Sequence, residues 1–120
     1  MSGIYTLSRA LAAFFGFTVL LGILWFADSL GRAFITAGVL MGFSSLAVAF
    51  VPQRKLSRGA TRRIVVTLCA VGISAGLVLV ADDLGASPGI EWHVVAIRLF
   101  HIAVLAMMAI IALKWSPNST

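Results

Sequence analysis

The sequence predicts an all-α membrane protein with four transmembrane helices. Apolar residues make up 61% of the 120-residue chain and charged residues only 11%, whereas a soluble domain carries about 25% charged residues. A domain of this size has too little interior to bury that much apolar surface in water. The chain also contains four apolar segments separated by short polar connections. We therefore predict one four-helix transmembrane domain over residues 1–120.

The four predicted spans are residues 10–27, 33–51, 64–81 and 92–113. Each is close to the roughly 20 residues that a helix needs to cross about 30 Å of hydrocarbon. Each must be helical, because backbone groups in lipid have no water to bond. Pro52 is expected to stop the second helix, and Ser87-Pro88-Gly89 to form the turn before the fourth. Three tryptophans near the span ends are interpreted as interface anchors: Trp25, Trp92 and Trp115.

The connections differ in charge, which predicts the orientation. Segment 53–63 contains no acid and five of the nine basic residues: Arg54, Lys55, Arg58, Arg62 and Arg63. The other two connections contain all four acids: Asp28, Asp82, Asp83 and Glu91. The positive-inside rule therefore places segment 53–63 and both termini in the cytoplasm, with Arg32 as an exception. The basic cluster is expected to meet lipid headgroups of a cytoplasmic-type membrane rather than nucleic acid.

The chain repeats itself, which predicts two tandem helical hairpins over residues 8–55 and 62–115. Segment 27–31 (ADSLG) matches segment 81–85 (ADDLG), and the same offset of 54 residues pairs Gly22 with Gly76 and Arg9 with Arg63. After a five-residue insertion, Leu46-Ala47 matches Leu105-Ala106 and Lys55 matches Lys114. Because each unit contains two spans, the copies have the same orientation, as in a parallel repeat.

Small residues spaced four apart mark the predicted packing faces. The second helix contains Gly38 and Gly42, and the third contains Gly72 and Gly76. Such pairs let helix backbones approach closely, either within the four-helix bundle or against a neighbouring chain. The single cysteine, Cys69, lies in an apolar segment and is interpreted as a packing residue.

The fourth helix carries polar residues where apolar ones are expected. Glu91, Arg98 and His101 fall on one side of the helix, and His93 lies at the edge of that side. Arg98 is about 9 Å inward from Trp92, and His101 is roughly 13 Å inward, near the membrane midplane. We interpret this as a polar stripe that descends from the outer surface. Arg98 either pairs with Asp28, Asp82, Asp83 or Glu91, or belongs to an anion, substrate or proton pathway.

His101 has structural and functional alternatives as well. It either hydrogen-bonds the second helix, or relays protons, or ligates a metal or tetrapyrrole. The expected partners on the second helix are Thr36, Ser44 and Ser45. A bis-histidine haem would require a second chain, because both histidines lie on one helix. The outer-loop carboxylates Asp28 and Asp82 either attract cations or form turns and helix caps.

No catalytic motif is present, so the sequence predicts neither an enzyme nor a metal or cofactor. The first hypothesis is a non-catalytic integral membrane subunit of a larger homo- or hetero-oligomer. The second is a small homo-oligomeric transporter or channel for an ion or small solute, with Arg98 and His101 in the path. The third is a haem- or chlorophyll-binding subunit that uses His101 or His93 as the ligand. The expected partners are membrane lipid and either further copies of the chain or other membrane subunits.

Overall fold

The computed structural model describes residues 2–29, 31–85 and 89–114. It contains four long α-helices: α1 (Ser2–Phe26), α2 (Arg32–Ala49), α3 (Gly59–Leu84) and α4 (Trp92–Lys114). All four are long and apolar enough to cross a membrane. The all-helical class and the four candidate spans are therefore confirmed. Two short 3₁₀ turns lie in the connections, at Ala27–Ser29 and Gln53–Ser57.

The helices form an up-and-down bundle. In the α1–α2 pair, Arg9 contacts Ala49 and Ile23 lies against Gly38, so the two helices are antiparallel. The α2–α3 and α3–α4 pairs run antiparallel in the same way, with contacts of Gly72 to Ser44 and Leu105 and of Gly76 to Met41 and Ile102. Helix α1 also packs against α4, which closes the ring. The turn at Gln53–Ser57 therefore lies at the same end of the bundle as Ser2 and Lys114.

Gly38, Gly42, Gly72 and Gly76 pack against other helices of the same chain. A Cβ atom at Gly42 would lie 2.6 Å from Cγ of Leu20 on α1. A Cβ at Gly72 or Gly76 would lie 2.8 Å from Leu105 or Ile102 on α4. A Cβ at Gly38 would overlap Ile23 on α1. Of the two packing alternatives, these glycines therefore follow the one within the bundle, since their open sides are filled by neighbouring helices of the same chain.

The outward surface of the bundle is apolar along its length. Many large apolar side chains are exposed there, among them Phe14, Phe17, Leu24, Phe43 and Leu113. A water-soluble monomer rarely exposes such a continuous apolar surface. Trp25 and Trp92 are also exposed, at 83% and 65%, as interface anchors would be. Trp115 lies outside the described residues.

Helix α3 is longer than its predicted span. Segment 53–63 is not one loop, because α3 begins at Gly59 and includes Arg62 and Arg63. The other end also differs: Asp82 and Asp83 lie in the last turn of α3 rather than in a loop. Hydropathy marks the part of a helix that crosses hydrocarbon, whereas backbone hydrogen bonds continue through polar residues until a breaker intervenes. The predicted boundaries were wrong for that reason.

Two further boundaries differ from expectation. Helix α1 begins at Ser2, about two turns before the predicted span, so Arg9 is helical and its Nε donates a 2.9 Å hydrogen bond to the Ala49 carbonyl. Helix α2 ends at Ala49, three residues before Pro52. Asp28 lies in a 3₁₀ turn, and α2 has Gly31 as its N-cap with no side-chain capping bond. Ser87 and Pro88 lie outside the described residues.

Candidate functional site

A cavity of about 570 Å³ lies in the half of the bundle opposite the Gln53–Ser57 turn, and it is open to the outside of the bundle, since its lining includes the exposed side chains of Thr18, Phe26 and Ile97. All four helices contribute to its wall, which is mainly apolar and aromatic. Its polar lining includes three residues of the α4 side, Glu91, Arg98 and His101, together with Asp83 of α3. The three polar residues that the sequence places on one side of the fourth helix therefore face a common space.

Arg98 pairs with Asp83 across the α3–α4 interface. The Nε of Arg98 donates a hydrogen bond to Oδ2 of Asp83, and the two side chains are only 16% and 18% exposed. The guanidinium carbon also lies 5.1 Å from the centre of the Phe34 ring on α2, within cation–π range. Of the four carboxylates that the sequence offers Arg98, the structure selects Asp83. Since the charges are opposite, the pair adds little net charge to the cavity.

The rest of the Arg98 guanidinium is available to a ligand. Only Nε donates to a protein group, and among the described residues the two terminal amino groups have no hydrogen-bond partner. An arginine side chain carries five N–H donors, of which four belong to these amino groups. Because Arg98 lines the cavity, its unused donors can bind an acceptor oxygen there.

His101 forms the floor of the cavity through a hydrogen-bond chain. Its Nε2 lies 2.9 Å from Oγ of Ser45 on α2, and that hydroxyl donates a 2.6 Å bond to the Ala12 carbonyl on α1. A hydroxyl has a single proton, so Ser45 must accept from His101. In the neutral ring, Nε2 therefore carries the proton and Nδ1 is an acceptor. Phe15 stacks on the imidazole with ring centres 5.3 Å apart.

Below His101 the bundle is filled by side chains. The core on that side consists of fully buried residues from all four helices, including Val48, Val65, Cys69, Leu105 and Met108. The cavity therefore ends at the level of His101, close to the depth at which the sequence places the midplane. It is a one-sided pocket in this conformation.

Glu91 and His93 lie at the entrance end of α4. Glu91 lines the cavity, but His93 does not. The His93 ring is 74% exposed, and its Nε2 lies 3.8 Å from a Glu91 carboxylate oxygen. The sequence predicts His93 as part of the polar pathway; it is the second residue of α4, and its exposed ring lies outside the cavity wall.

The other charged residues lie away from the cavity. Asp28 and Asp82 are exposed, and neither forms an ion pair within the part of the chain that the structure describes. At the opposite end, four basic side chains are exposed: Arg54, Lys55, Arg58 and Arg63. Arg62 is partly buried, and its Nε lies 3.4 Å from the Leu56 carbonyl.

Sequence reasoning missed the aromatic part of the site. Phe15 and Phe34 contact His101 and Arg98, but in the sequence they resemble any other apolar residue of a span. It also missed Tyr5, which is fully buried at the opposite end and whose hydroxyl has no hydrogen-bond partner among the described residues. No sequence signal distinguishes these aromatics from lipid-facing ones, because only the packing of the four helices decides which way they point.

The histidines offer little to a metal or haem. Within the residues that the structure describes, no group of three or more His, Cys, Asp or Glu side chains is arranged to hold a metal ion. The Nε2 of His101 is engaged by Ser45, and Phe15 covers one face of the ring. Only Nδ1 is left as a ligand atom.

Comparison of the chain with models of protein families, with curated proteins and with solved structures finds no match. A functional assignment therefore depends on the geometry of the cavity and on the distribution of charge.

Proposed function

We propose that the protein is a small transporter or channel-type membrane protein that binds a small solute in the cavity beside α4. The observation that supports this is the placement of Arg98, Asp83 and His101 around open space inside an otherwise apolar bundle. A charged residue within a span costs about 2.5–3.5 kcal/mol, whereas leucine would be favourable there. A chain with no need of a polar cavity would gain stability by filling this space with apolar side chains.

The chemistry of the wall suggests the kind of solute. Unused N–H donors of Arg98 require an acceptor oxygen, and the His101 Nδ1 acceptor suits a donor on the solute. Phe15 and Phe34 border the cavity with apolar surface. The Arg98–Asp83 pair is nearly neutral and Glu91 is acidic, so a strongly anionic solute is disfavoured. The geometry favours a small neutral or zwitterionic molecule with a carbonyl or carboxyl oxygen, an N–H or O–H donor and an apolar body.

We further propose a cytoplasmic-type membrane with both termini on the cytoplasmic side. The basic residues around Gln53–Ser57 lie at the bundle end that contains Ser2 and Lys114, and the carboxylates lie at the other end. The positive-inside rule then orients the cavity outward. With Cys69→Ala as background, a cysteine at Ser57 should resist an impermeant maleimide added to whole cells. A matched cysteine at Asp28 should react; the reverse pattern would invert the orientation.

The two hairpins are proposed to be a duplicated unit that has diverged. At the offset of 59 residues set by Leu46-Ala47 and Leu105-Ala106, Arg98 corresponds to Val39 and His101 to Gly42. The polar stripe therefore occurs only in the second copy. Such asymmetry is consistent with one solute site per chain rather than two equivalent sites.

The non-catalytic subunit remains the second candidate, but part of its support has changed. Glycines spaced for close packing would support it if they met a neighbouring chain, but Gly38, Gly42, Gly72 and Gly76 contact helices of the same chain. A haem- or chlorophyll-binding role through His101 is not proposed, since its hydrogen bond and ring stacking already occupy most of its imidazole, and His93 lies outside the cavity.

The test measures whether the cavity is accessible from outside and whether a solute binds in it. Gly22 lines the cavity and has no atom within 4 Å of an added Cβ, so Gly22→Cys should react with a small impermeant thiol reagent from outside. The melting temperature of the purified protein is then measured with small amides, amino acids and carboxylic acids. A solute that stabilises the wild type should not stabilise the Arg98→Leu/Asp83→Leu variant, while Asp28→Asn should behave as wild type. An inaccessible Gly22→Cys thiol together with no stabilising solute would refute the proposal.

A further inference from the structure

A second concave surface lies on the outside of α2 and α3. This α2–α3 groove measures about 650 Å³ and shares no lining residue with the cavity. Its floor contains Ala37 and Ala75, which are 6% and 5% exposed. Its exposed walls are made mostly of small side chains: Ala33 and Thr36 from α2, and Ala70 and Ser74 from α3. Small side chains on a membrane helix allow another helix to approach closely.

Two unpaired charges of opposite sign stand at the outer end of this groove. Arg32 lies one helical turn before Thr36 on α2, and Asp82 lies one turn beyond Val78 on α3. Residues four apart share a helix face, so each charge continues one wall of the groove. Both side chains are exposed, and neither has an ion-pair partner within the described ranges. The contacts of Gly72 with Ser44 and of Gly76 with Met41 set the register of α2 and α3, and this register puts the two charges at similar depth.

We propose that the α2–α3 groove is a homodimer interface occupied by the same face of a second copy of this chain. Two copies in one membrane are related by a two-fold axis along the membrane normal. That rotation places α2 of each copy opposite α3 of the other. Arg32 of each chain then faces the partner's Asp82, which gives two equal ion pairs at the outer end. The small side chains below them allow the helices to pack.

The charge arrangement selects a second copy over other occupants. A zwitterionic lipid can fill an apolar groove and approach both charges, but only a second copy presents the same small side chains together with the same two charges in the reverse order. In hydrocarbon, helices gain no hydrophobic driving force by leaving lipid, so close packing and polar pairs decide association. The inference does not depend on the proposed solute site, since the groove faces away from the cavity.

Complementary charge reversal tests this interface. Arg32→Glu and Asp82→Arg are each expected to weaken self-association in lipid vesicles roughly tenfold, the effect of two ion pairs becoming repulsive contacts. Mixed together, the two variants should form a heterodimer of about wild-type affinity, because both contacts are then attractive. Asp28 is an exposed carboxylate in the α1–α2 connection, so Asp28→Arg should leave self-association unchanged. Energy transfer between differently labelled chains measures all four cases.

Crosslinking gives a second, independent readout. With Cys69→Ala as background, Ser74→Cys in the groove should give a covalent dimer with a short bifunctional maleimide. Ala103→Cys, on the exposed face of α4, should not. The proposal would be overturned by a monomeric wild type in lipid, by a mixture that fails to recover affinity, or by crosslinking at Ala103 in place of Ser74. Recovery in the mixture also shows that both variants are folded.

Discussion

The Arg98–Asp83 pair allows the sharpest test of the fold. The perturbation is a double-mutant cycle of Asp83→Leu, Arg98→Leu and the combined variant. In the wild type the two charges are hydrogen-bonded, mostly buried and on different helices. Removing one partner leaves the other as an uncompensated charge inside the bundle, whereas removing both leaves an apolar contact.

The expected magnitudes follow from that geometry. Asp83→Leu should destabilise the protein by about 2–3 kcal/mol, because Arg98 then has no acceptor within a span. Arg98→Leu should cost about the same, because Asp83 at 18% exposure is buried nearly as deeply as Arg98 at 16% and loses its hydrogen-bond donor. The double variant should lie within about 1 kcal/mol of wild type, as replaced buried pairs commonly do. The two effects are therefore far from additive.

Equilibrium unfolding in mixed detergent micelles, followed by circular dichroism, measures all four proteins. Asp28→Leu is the control, because it removes an exposed carboxylate that has no ion-pair partner among the described residues, and its effect should stay within about 0.5 kcal/mol. If the single-variant costs add up in the double variant, the pair does not join α3 to α4 and the reasoning fails. In the wild-type background, Phe34→Leu should lower the free energy of unfolding by about 0.5–1 kcal/mol, because the cation–π contact with Arg98 is lost.

Three further outcomes are expected. Gly16→Ala should destabilise the protein by about 1–3 kcal/mol, because the added Cβ would lie 2.9 Å from a backbone carbonyl of α2. Gly22→Ala should be neutral or stabilising by up to about 1 kcal/mol, because nothing lies within 4 Å of its added Cβ. Equilibrium unfolding compares the two variants. Nitrogen NMR of the His101 ring should show the proton on Nε2, and a proton on Nδ1 alone would contradict the Ser45 assignment. Cys69 is fully buried, so it should react with maleimide only after unfolding, and labelling of the folded protein would disprove its packing role.

Hydropathy and charge were sufficient for the coarse fold, for a physical reason. In lipid an apolar segment of sufficient length has only the helix available, so the four spans follow from the sequence without knowledge of packing. The same argument failed at helix ends. Asp82, Asp83, Arg62 and Arg63 are polar and were placed in loops, yet they continue the hydrogen bonds of α3 into the interface.

The sequence predicts the polar residues of the site but not the partner of Arg98. Polar residues are energetically costly in a span, so Arg98 and His101 stand out in the sequence. Helical periodicity places them on one side together with Glu91. The sequence does not show which carboxylate pairs with Arg98, because all four acids lie at the same end of the bundle. Helix rotation in the bundle decides between them, and it directs Asp83 inward while the adjacent Asp82 points outward.

The position of the cavity is related to one difference between the two proposed copies of the repeat. Gly42 has no side chain, so α2 lies close to α1, and an added Cβ there would lie 3.2 Å from the Gly16 carbonyl. At the offset of 59 residues the corresponding residue on α4 is His101, whose ring stacks on Phe15 of α1 with ring centres 5.3 Å apart. A glycine therefore lies at the α1–α2 contact, whereas a stacked histidine–phenylalanine pair lies at the α1–α4 contact. The space above that ring pair is the space that Arg98 and Asp83 line, so the residue that interrupts the small-residue pattern also forms the floor of the candidate site.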